Sequence, residues 1–115
     1  MSDLTELRDA MRTFTDERDW ARFHDPKSLI LALVGEVGEV AELFQWLPAD
    51  GAAELAREDP LRRRGGEELA DVLLYLVRLA DVLDVDLAAV ATAKLADSAR
   101  RFAAASVRGT APHKA

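Results

Sequence analysis

The sequence predicts an all-α protein, and three observations lead to this prediction. Glycine and proline are sparse, at 6 and 4 of 115 residues, and they separate the segments that have helical periodicity. No stretch alternates apolar and polar residues for long enough to form a strand. Four stretches repeat apolar residues at helical spacing. We therefore expect one domain, residues 1–105, built as a compact four-helix bundle, and a disordered tail over residues 106–115.

The first helix is expected from about Asp3 to Arg18. Asp3 and Glu6 give it a start that resembles a capping box. Four apolar side chains at heptad spacing form its buried stripe: Leu4, Leu7, Met11 and Phe14. A connector with two aromatic residues in a polar context follows over residues 19–24.

The second helix is expected to begin at Asp25-Pro26 and to run to about Leu47, where Pro48 stops it. It is apolar on nearly every face, and three acids interrupt it: Glu36, Glu39 and Glu42. An acid at the centre of a membrane span costs about 2.5–3.5 kcal/mol, so a membrane span is not expected. Such a helix is instead surrounded by other helices, and part of its surface is expected to lie between subunits.

The third long helix is expected from near Asp59-Pro60 to about Leu83, after a polar loop with a short helical turn over residues 52–57. Gly65-Gly66 weakens its first turns, which predicts that the ordered part begins at Glu67. Five residues form its predicted core seam: Leu69, Leu73, Leu76, Ala80 and Leu83. A fourth helix, capped by Asp86, is expected from about Leu87 to Phe102, with Leu87, Val90, Lys94 and Leu95 near one face.

Composition excludes several classes of function. The net charge is −6, which argues against polymeric nucleic acid as a partner, although a small phosphorylated ligand with a metal ion is compatible with it. There is no cysteine, and the two histidines are far apart, so disulfides, zinc sites, thiol nucleophiles and histidine-rich di-iron sites are not expected. The start of the chain does not resemble a signal peptide, so a cytoplasmic location is expected, with no membrane partner.

Acidic residues stand where apolar residues are expected on two helices. Glu36 and Glu39 are three residues apart, and so are Glu68 and Asp71, so each pair shares a helix face. One such pair alone is usually a solvated stripe, but two pairs on two apolar helices predict a cluster of four carboxylates. Their mutual repulsion favours a hard divalent cation, Mg²⁺ or Mn²⁺ rather than zinc. Glu42 and Glu67 are interpreted as solvated, or at most as neighbours of the metal ligands.

Aromatic residues lie near these acids along the chain: Trp20, Phe23, Trp46 and Tyr75. Tyr75 follows Asp71 by one turn, and Trp46 follows Glu39 by two. An aromatic wall beside a metal site can hold a nucleobase by stacking. Phe14, Phe44 and Phe102 are interpreted as core residues.

Four segments together resemble the all-α nucleoside triphosphate pyrophosphohydrolases of the MazG superfamily, and most closely their dCTP pyrophosphatase branch. The segments are ERDW at residues 17–20, FHDP at 23–26, LALVGEVGEVAELFQW at 31–46 and EELADVLLYLV at 67–77. The resemblance covers roughly residues 10–102. It implies a homo-oligomer, a dimer or tetramer, with the active site near the subunit contacts.

The resemblance also implies a reaction and the residues for it. Glu36, Glu39, Glu68 and Asp71 would hold Mg²⁺, and a nucleoside triphosphate would be cleaved to the monophosphate and pyrophosphate. Trp20, Trp46 and Tyr75 match positions around the base pocket. Lys94 would contact phosphates as a point charge, and Arg101 is a weaker candidate for this contact.

Three departures from the family pattern concern substrate recognition. Met11 stands where relatives commonly carry histidine, Ser98 where they carry asparagine, and Phe102-Ala103 where they carry Tyr-Pro. The expected substrate is dCTP or a modified dCTP, for nucleotide-pool sanitation or balance. The alternatives are a related enzyme acting on dUTP or phosphoribosyl-ATP, and a non-catalytic helical interaction module. The tryptophan-flanked motif argues against phosphoribosyl-ATP, and the four retained acids argue against the module.

Overall fold

The computed structural model describes residues 3–111, and all regular structure in that range is helical. The elements in chain order are α1 (Asp3–Glu17), a 3₁₀ turn (Ala21–Phe23), α2 (Pro26–Phe44), α3 (Ala52–Ala56), α4 (Leu61–Val82), α5 (Leu87–Arg101) and α6 (Ala104–Val107). The predicted all-α class is confirmed, and the four long helices are those expected from the sequence. None of the helices in residues 3–111 is both long and apolar enough to cross a membrane.

Two of the predicted helix caps are confirmed. The Asp25 carboxylate accepts hydrogen bonds from the Ser28 amide at 2.9 Å and the Ser28 hydroxyl at 2.7 Å, which lowers the pKa of Asp25. At the start of α5, the Asp86 carboxylate accepts a hydrogen bond from the Ala89 amide at 3.1 Å. Each carboxylate therefore satisfies an amide of the first turn that has no partner within its helix.

Two predicted boundaries differ from those observed. Helix α2 ends at Phe44 and not at Leu47. Proline at 48 has no amide hydrogen to donate to the Phe44 carbonyl, so this carbonyl accepts a hydrogen bond from the Leu47 amide at 3.0 Å instead. Helix α4 starts at Leu61, as predicted from Asp59-Pro60, but the prediction that its ordered part begins only at Glu67 is wrong. A glycine costs only about 1 kcal/mol relative to alanine, so the two glycines weaken these turns without ending the helix.

Helix α4 is the central element of the fold. It packs along α2, and it also contacts α1 and α3, while α5 lies against α1. The apolar side chains buried by this arrangement are few: Leu29, Val77 and Ala80. Thr15 and Arg78 are also buried, so polar groups form a substantial part of this small core.

The single chain buries only one residue of the predicted core seam of α4. Ala80 is buried, but Leu69 is 59% exposed and Leu83 is 52% exposed. The apolar face predicted for α5 is also exposed, with Leu95 at 73%. The apolar periodicity predicts that these segments are helical. It does not show whether an apolar stripe packs against the same chain or against another molecule.

The single chain is more open than the compact bundle expected from the sequence. Its radius of gyration is 17.4 Å, against about 13 Å for a compact domain of this length. Its accessible surface is 8899 Å², against about 6,200 Å² expected for a folded monomer of this mass. The predicted tail over residues 106–115 begins within α6, and its last four residues, 112–115, lie outside the described part of the chain.

Candidate metal and nucleotide site

Three acidic side chains from two packed helices converge on one point. Glu36 and Glu39 lie one turn apart on α2, and Glu68 lies on α4. One carboxylate oxygen from each of the three lies within 4.8 Å of the others. The packing of α2 along α4 therefore brings three carboxylates together, and we call Glu36, Glu39 and Glu68 the acidic cluster.

Within residues 3–111, no carboxylate of the acidic cluster forms an ion pair with a lysine or arginine. The Oε2 atoms of Glu36 and Glu68 are buried and have no hydrogen-bond partner. Burial, then the charges of Glu39 and Asp71, raise the pKa of Glu36. The neighbouring Glu39 carboxylate, then burial and the charges of Asp71 and Glu36, raise the pKa of Glu68. Buried oxygens without partners and mutually repelling carboxylates fit the ligand set of a hard divalent cation.

Asp71, the fourth predicted ligand, occupies a different position. It lies on α4 one turn after Glu68 and is exposed, and it is not one of the three residues whose oxygens converge. Its charge nevertheless raises the pKa of both Glu36 and Glu68, so it belongs to the same electrostatic environment. Its assignment as a metal ligand stays a prediction.

A cavity of about 400 Å³ has Asp71 in its wall, one helical turn along α4 from Glu68 of the acidic cluster. This volume lies in the range of small-molecule sites. Helices α1 and α4 and the connector between α1 and α2 form the wall. Most of the wall is apolar or aromatic, and it includes Met11, Phe14, Trp20 and Tyr75. An aromatic cavity beside an acidic cluster can hold the base of a nucleotide near a metal ion that binds its phosphates.

Residues 24–103 match the family model of the MazG nucleotide pyrophosphohydrolase domain. The chain belongs to this family. A solved structure of a pyrophosphatase from Archaeoglobus fulgidus is similar to it, with a TM-score of 0.80, 33% sequence identity, and coverage of 90% of this chain and 94% of that one. The MazG domain resemblance and the fold expected from the sequence are therefore confirmed.

Curated relatives of this MazG domain are also similar along most of its length. The chain is 44% identical over 108 residues to dCTP pyrophosphatase 1 of Bos taurus, and 47% identical over 102 residues to dCTP pyrophosphatase 1 of Homo sapiens. These matches cover 94% and 88% of this chain, but they span only 64% and 59% of the two relatives.

Two of the three predicted base-pocket aromatics line the cavity of this MazG domain. Trp20 is 45% exposed and packs edge-to-face on Phe14, with ring centroids 5.7 Å apart. Tyr75 is the second. Trp46, just beyond α2, is 88% exposed and is not part of the described cavity wall, so its place at the base pocket stays a prediction. Phe14, interpreted from the sequence as core, instead lines the cavity and is 43% exposed.

The residues predicted on α5 lie away from this cavity within one chain. Lys94 is exposed and Ser98 is partly buried, and neither is part of the described wall. The Arg101 guanidinium lies 5.4 Å from the ring centroid of Phe102. Contact of Lys94 and Arg101 with substrate phosphates, and of Ser98 with the substrate, therefore stays a prediction.

The sequence analysis missed polar residues that the tertiary structure brings to the cavity. His24 and Thr15 are both part of its wall. Arg78 Nε donates a hydrogen bond to His24 Nδ1 at 2.9 Å, although these residues are 54 positions apart. Arg78 is the only basic residue between Arg64 and Lys94, within an apolar stretch of α4. A lone charge in an apolar stretch was the available signal.

Proposed function

We propose that this MazG domain hydrolyses a nucleoside triphosphate, dCTP or a modified dCTP, to the nucleoside monophosphate and pyrophosphate. One observation carries the proposal: an acidic cluster with two unpartnered buried oxygens adjoins an aromatic cavity of about 400 Å³. The first feature is suited to a metal ion, and the second to a base. Asp71 lies on the cavity wall one turn from Glu68, so one ligand can reach both.

The metal is proposed to be Mg²⁺, which Mn²⁺ can replace, because all the candidate ligands are carboxylate oxygens. Glu36, Glu39 and Glu68 would hold it, and Asp71 would complete the set from the cavity side. When bound, the ion would orient the triphosphate and lower the pKa of the attacking water. The protein's own contribution is to hold these carboxylates on two packed helices, so that little rearrangement is needed on binding.

The preference for dCTP is supported by the names of the curated relatives and by the aromatic wall. Trp20 and Tyr75 offer flat surfaces to a base of any kind. Met11 lies on the same wall, where the family pattern has histidine, so the choice among bases depends on this chain's own side chains. A role in nucleotide-pool sanitation or balance in the cytoplasm is part of the proposal.

Assembly into a homo-oligomer, a dimer or tetramer, is part of the proposal. The accessible surface exceeds that expected for a compact monomer by about 2,700 Å². Large apolar side chains are exposed on α2 and α5, among them Leu31, Val34 and Leu95. An obligate interface buries surface of this size and character. Packing against another copy of the chain would also bring Trp46 and the α5 residues Lys94, Ser98 and Arg101 to a substrate site.

A pyrophosphate-release assay with Mg²⁺ over canonical and modified deoxynucleoside triphosphates tests the proposed function. Wild type should release pyrophosphate, with dCTP or a modified dCTP among the best substrates. Glu39→Gln should lower kcat by at least about a hundredfold, since it removes a charged ligand of the metal. The matched control is Glu42→Gln, a change of the same kind on α2 at an exposed residue outside the acidic cluster.

Equal activity of Glu39→Gln and Glu42→Gln would contradict the proposed site. Wild type that releases no pyrophosphate from any triphosphate would contradict the proposed reaction. In that case a helical interaction module becomes the better interpretation, and Mg²⁺ should then give no stabilisation against thermal unfolding.

A further inference from the structure

One wall of the cavity belongs to a helix that the single chain packs loosely. Helix α1 contributes Met11 and Phe14 to the wall, and α4 contributes Leu74 and Tyr75. The width of the cavity therefore depends on where α1 lies relative to α4. Within residues 3–111, Thr15 is the only buried residue of α1. Apolar burial is the main term that holds helices together, so α1 depends on a further contact for its position.

A bidentate ion pair joins α1 to α4. Arg12 Nε donates a hydrogen bond to Asp81 Oδ2 at 3.1 Å, and Arg12 Nη2 donates a second one to Asp81 Oδ1. Two parallel hydrogen bonds between a guanidinium and a carboxylate fix the orientation of the two groups as well as their separation. In the described part of the chain, the other ion pairs of α1 join residues adjacent in sequence, Arg8 with Asp9 and Arg18 with Glu17. Arg12 therefore makes the ionic contact that places α1 against α4.

The carboxylate that Arg12 binds is itself held in place. Asp81 also accepts a hydrogen bond from Arg78 Nη1 at 3.2 Å, and Arg78 Nε donates to His24 Nδ1 at 2.9 Å. Arginine has no acceptor, so Nδ1 accepts, and the neutral imidazole carries its proton on Nε2. Burial, then the charge of Arg78, lower the pKa of His24, which keeps the ring uncharged at neutral pH. Asp81 is therefore a fixed point, tied to α4 and to the connector that carries His24.

The aromatic wall of the cavity follows α1. Phe14 packs edge-to-face with Trp20 of the connector, and the Arg18 guanidinium lies 3.8 Å from the centroid of the Phe14 ring. A displacement of α1 therefore moves Phe14 and disturbs its contact with Trp20. Arg12 and Asp81 are not among the described residues of the cavity wall, so they act on a ligand there only through α1.

We propose that Arg12 is a positioning residue for the base site: its ion pair with Asp81 fixes α1, and this sets the spacing between the aromatic side chains of α1 and Tyr75 of α4. The inference rests on the proposed function, since it requires the cavity to be the site of the base. A flat base is bound best when the surfaces on which it packs are held at a fixed spacing before it arrives. The acidic cluster lies on α2 and α4, so binding of metal and phosphates is expected to be independent of this ion pair.

Steady-state kinetics with dCTP and Mg²⁺ test this assignment. Arg12→Met keeps an unbranched apolar stem but removes the guanidinium, and it should raise KM about threefold to tenfold while kcat changes by less than about twofold. The matched control is Arg8→Met, the same substitution on the same helix, where the arginine is paired with its neighbour Asp9. This control should leave KM within about twofold of the wild-type value.

A double-mutant cycle separates the ion pair from other effects of Arg12. Asp81→Asn removes the charge that Arg12 binds and should also raise KM. Adding Arg12→Met to Asp81→Asn should then cause no further rise, because the two residues act as one unit. Tripolyphosphate, which has no base, should inhibit wild type and Arg12→Met with the same inhibition constant, since the acidic cluster is unchanged.

Three results would overturn the inference while the proposed function stands. They are a KM for Arg12→Met no higher than that of Arg8→Met, a further rise in KM when Arg12→Met is added to Asp81→Asn, and weaker inhibition of Arg12→Met by tripolyphosphate. Should Arg12→Met fail to fold, Arg12→Lys takes its place, because it keeps the charge but not the parallel pair of hydrogen bonds. An unchanged KM in Arg12→Lys would then overturn the inference equally. A wild-type protein that cleaves no deoxynucleoside triphosphate removes the proposed function, and this inference with it.

Discussion

The two halves of α4 carry charged clusters that are balanced in opposite ways. Near its start, Glu68 joins Glu36 and Glu39, so the acidic cluster has charges of one sign and two buried oxygens without partners. Near its end, Arg78 is paired with Asp81, and His24 and Arg12 bond to the same two residues. We call this second group, Arg78, Asp81, His24 and Arg12, the paired network.

The difference indicates what each cluster does. Unpaired buried charges are unfavourable in the folded chain, and a protein retains them where a ligand compensates them. Paired buried charges need no ligand, and removing one member leaves the other uncompensated. The acidic cluster therefore has the character of a binding site, and the paired network that of a structural element which orients His24.

The largest effect is expected from Asp71→Asn, which tests how far the acidic cluster extends toward the cavity. We expect kcat for dCTP to fall by two or more orders of magnitude at saturating Mg²⁺, because the change removes a negative charge beside the metal site. The fold should stay intact by circular dichroism. Near wild-type turnover would limit the functional acids to Glu36, Glu39 and Glu68.

A smaller effect, on stability, is expected when the paired network is broken. Asp81→Ala leaves Arg78 buried without a counter-charge and should lower the free energy of unfolding by about 3 kcal/mol. Urea denaturation of the metal-free protein measures this. Asp97→Ala on α5 is the control, because it breaks an exposed pair with Arg100 and should change stability by less than about 1 kcal/mol. Equal losses in the two variants would show that the network has no special structural role.

The smallest effect is the opposite response of the two clusters to pH. The raised pKa values of Glu36 and Glu68 mean that their contribution to stability is complete below the ordinary carboxyl pKa and is lost as pH rises through the raised values. The hydrogen bond from Arg12 lowers the pKa of Asp81, so its contribution is present above the ordinary carboxyl pKa and is lost as pH falls through the lowered value.

Thermal unfolding of metal-free wild type and Glu36→Gln across pH measures this contrast. Glu36→Gln should be the more stable protein at neutral pH, and its advantage should shrink as the solution becomes acidic. Added Mg²⁺ should reduce the same advantage by stabilising wild type. A Glu36→Gln protein less stable than wild type at neutral pH without metal would contradict the electrostatic account of the acidic cluster.

Much of the site could be predicted from local sequence. Glu36, Glu39 and Glu68 stood out because acids are unusual in apolar helices, and these three converge. Trp20 and Tyr75 were predicted at the pocket and line the cavity. His24 and Arg78 were not predicted, since nothing at either position shows that they meet across 54 residues. Phe14 was assigned to the core because an apolar stripe looks the same whether it faces a core or a cavity.

The sequence by itself determined the helices, their caps and the two acidic pairs. These depend on periodicity, on side chains next to helix ends and on spacings of three residues, all of which are local. Only the tertiary structure decided which face of α4 is buried, that Asp71 lies on the cavity wall outside the convergent three, and that Arg78 fixes the tautomer of His24. These depend on how each helix is rotated against its neighbours, which is set by the packing of all of them together.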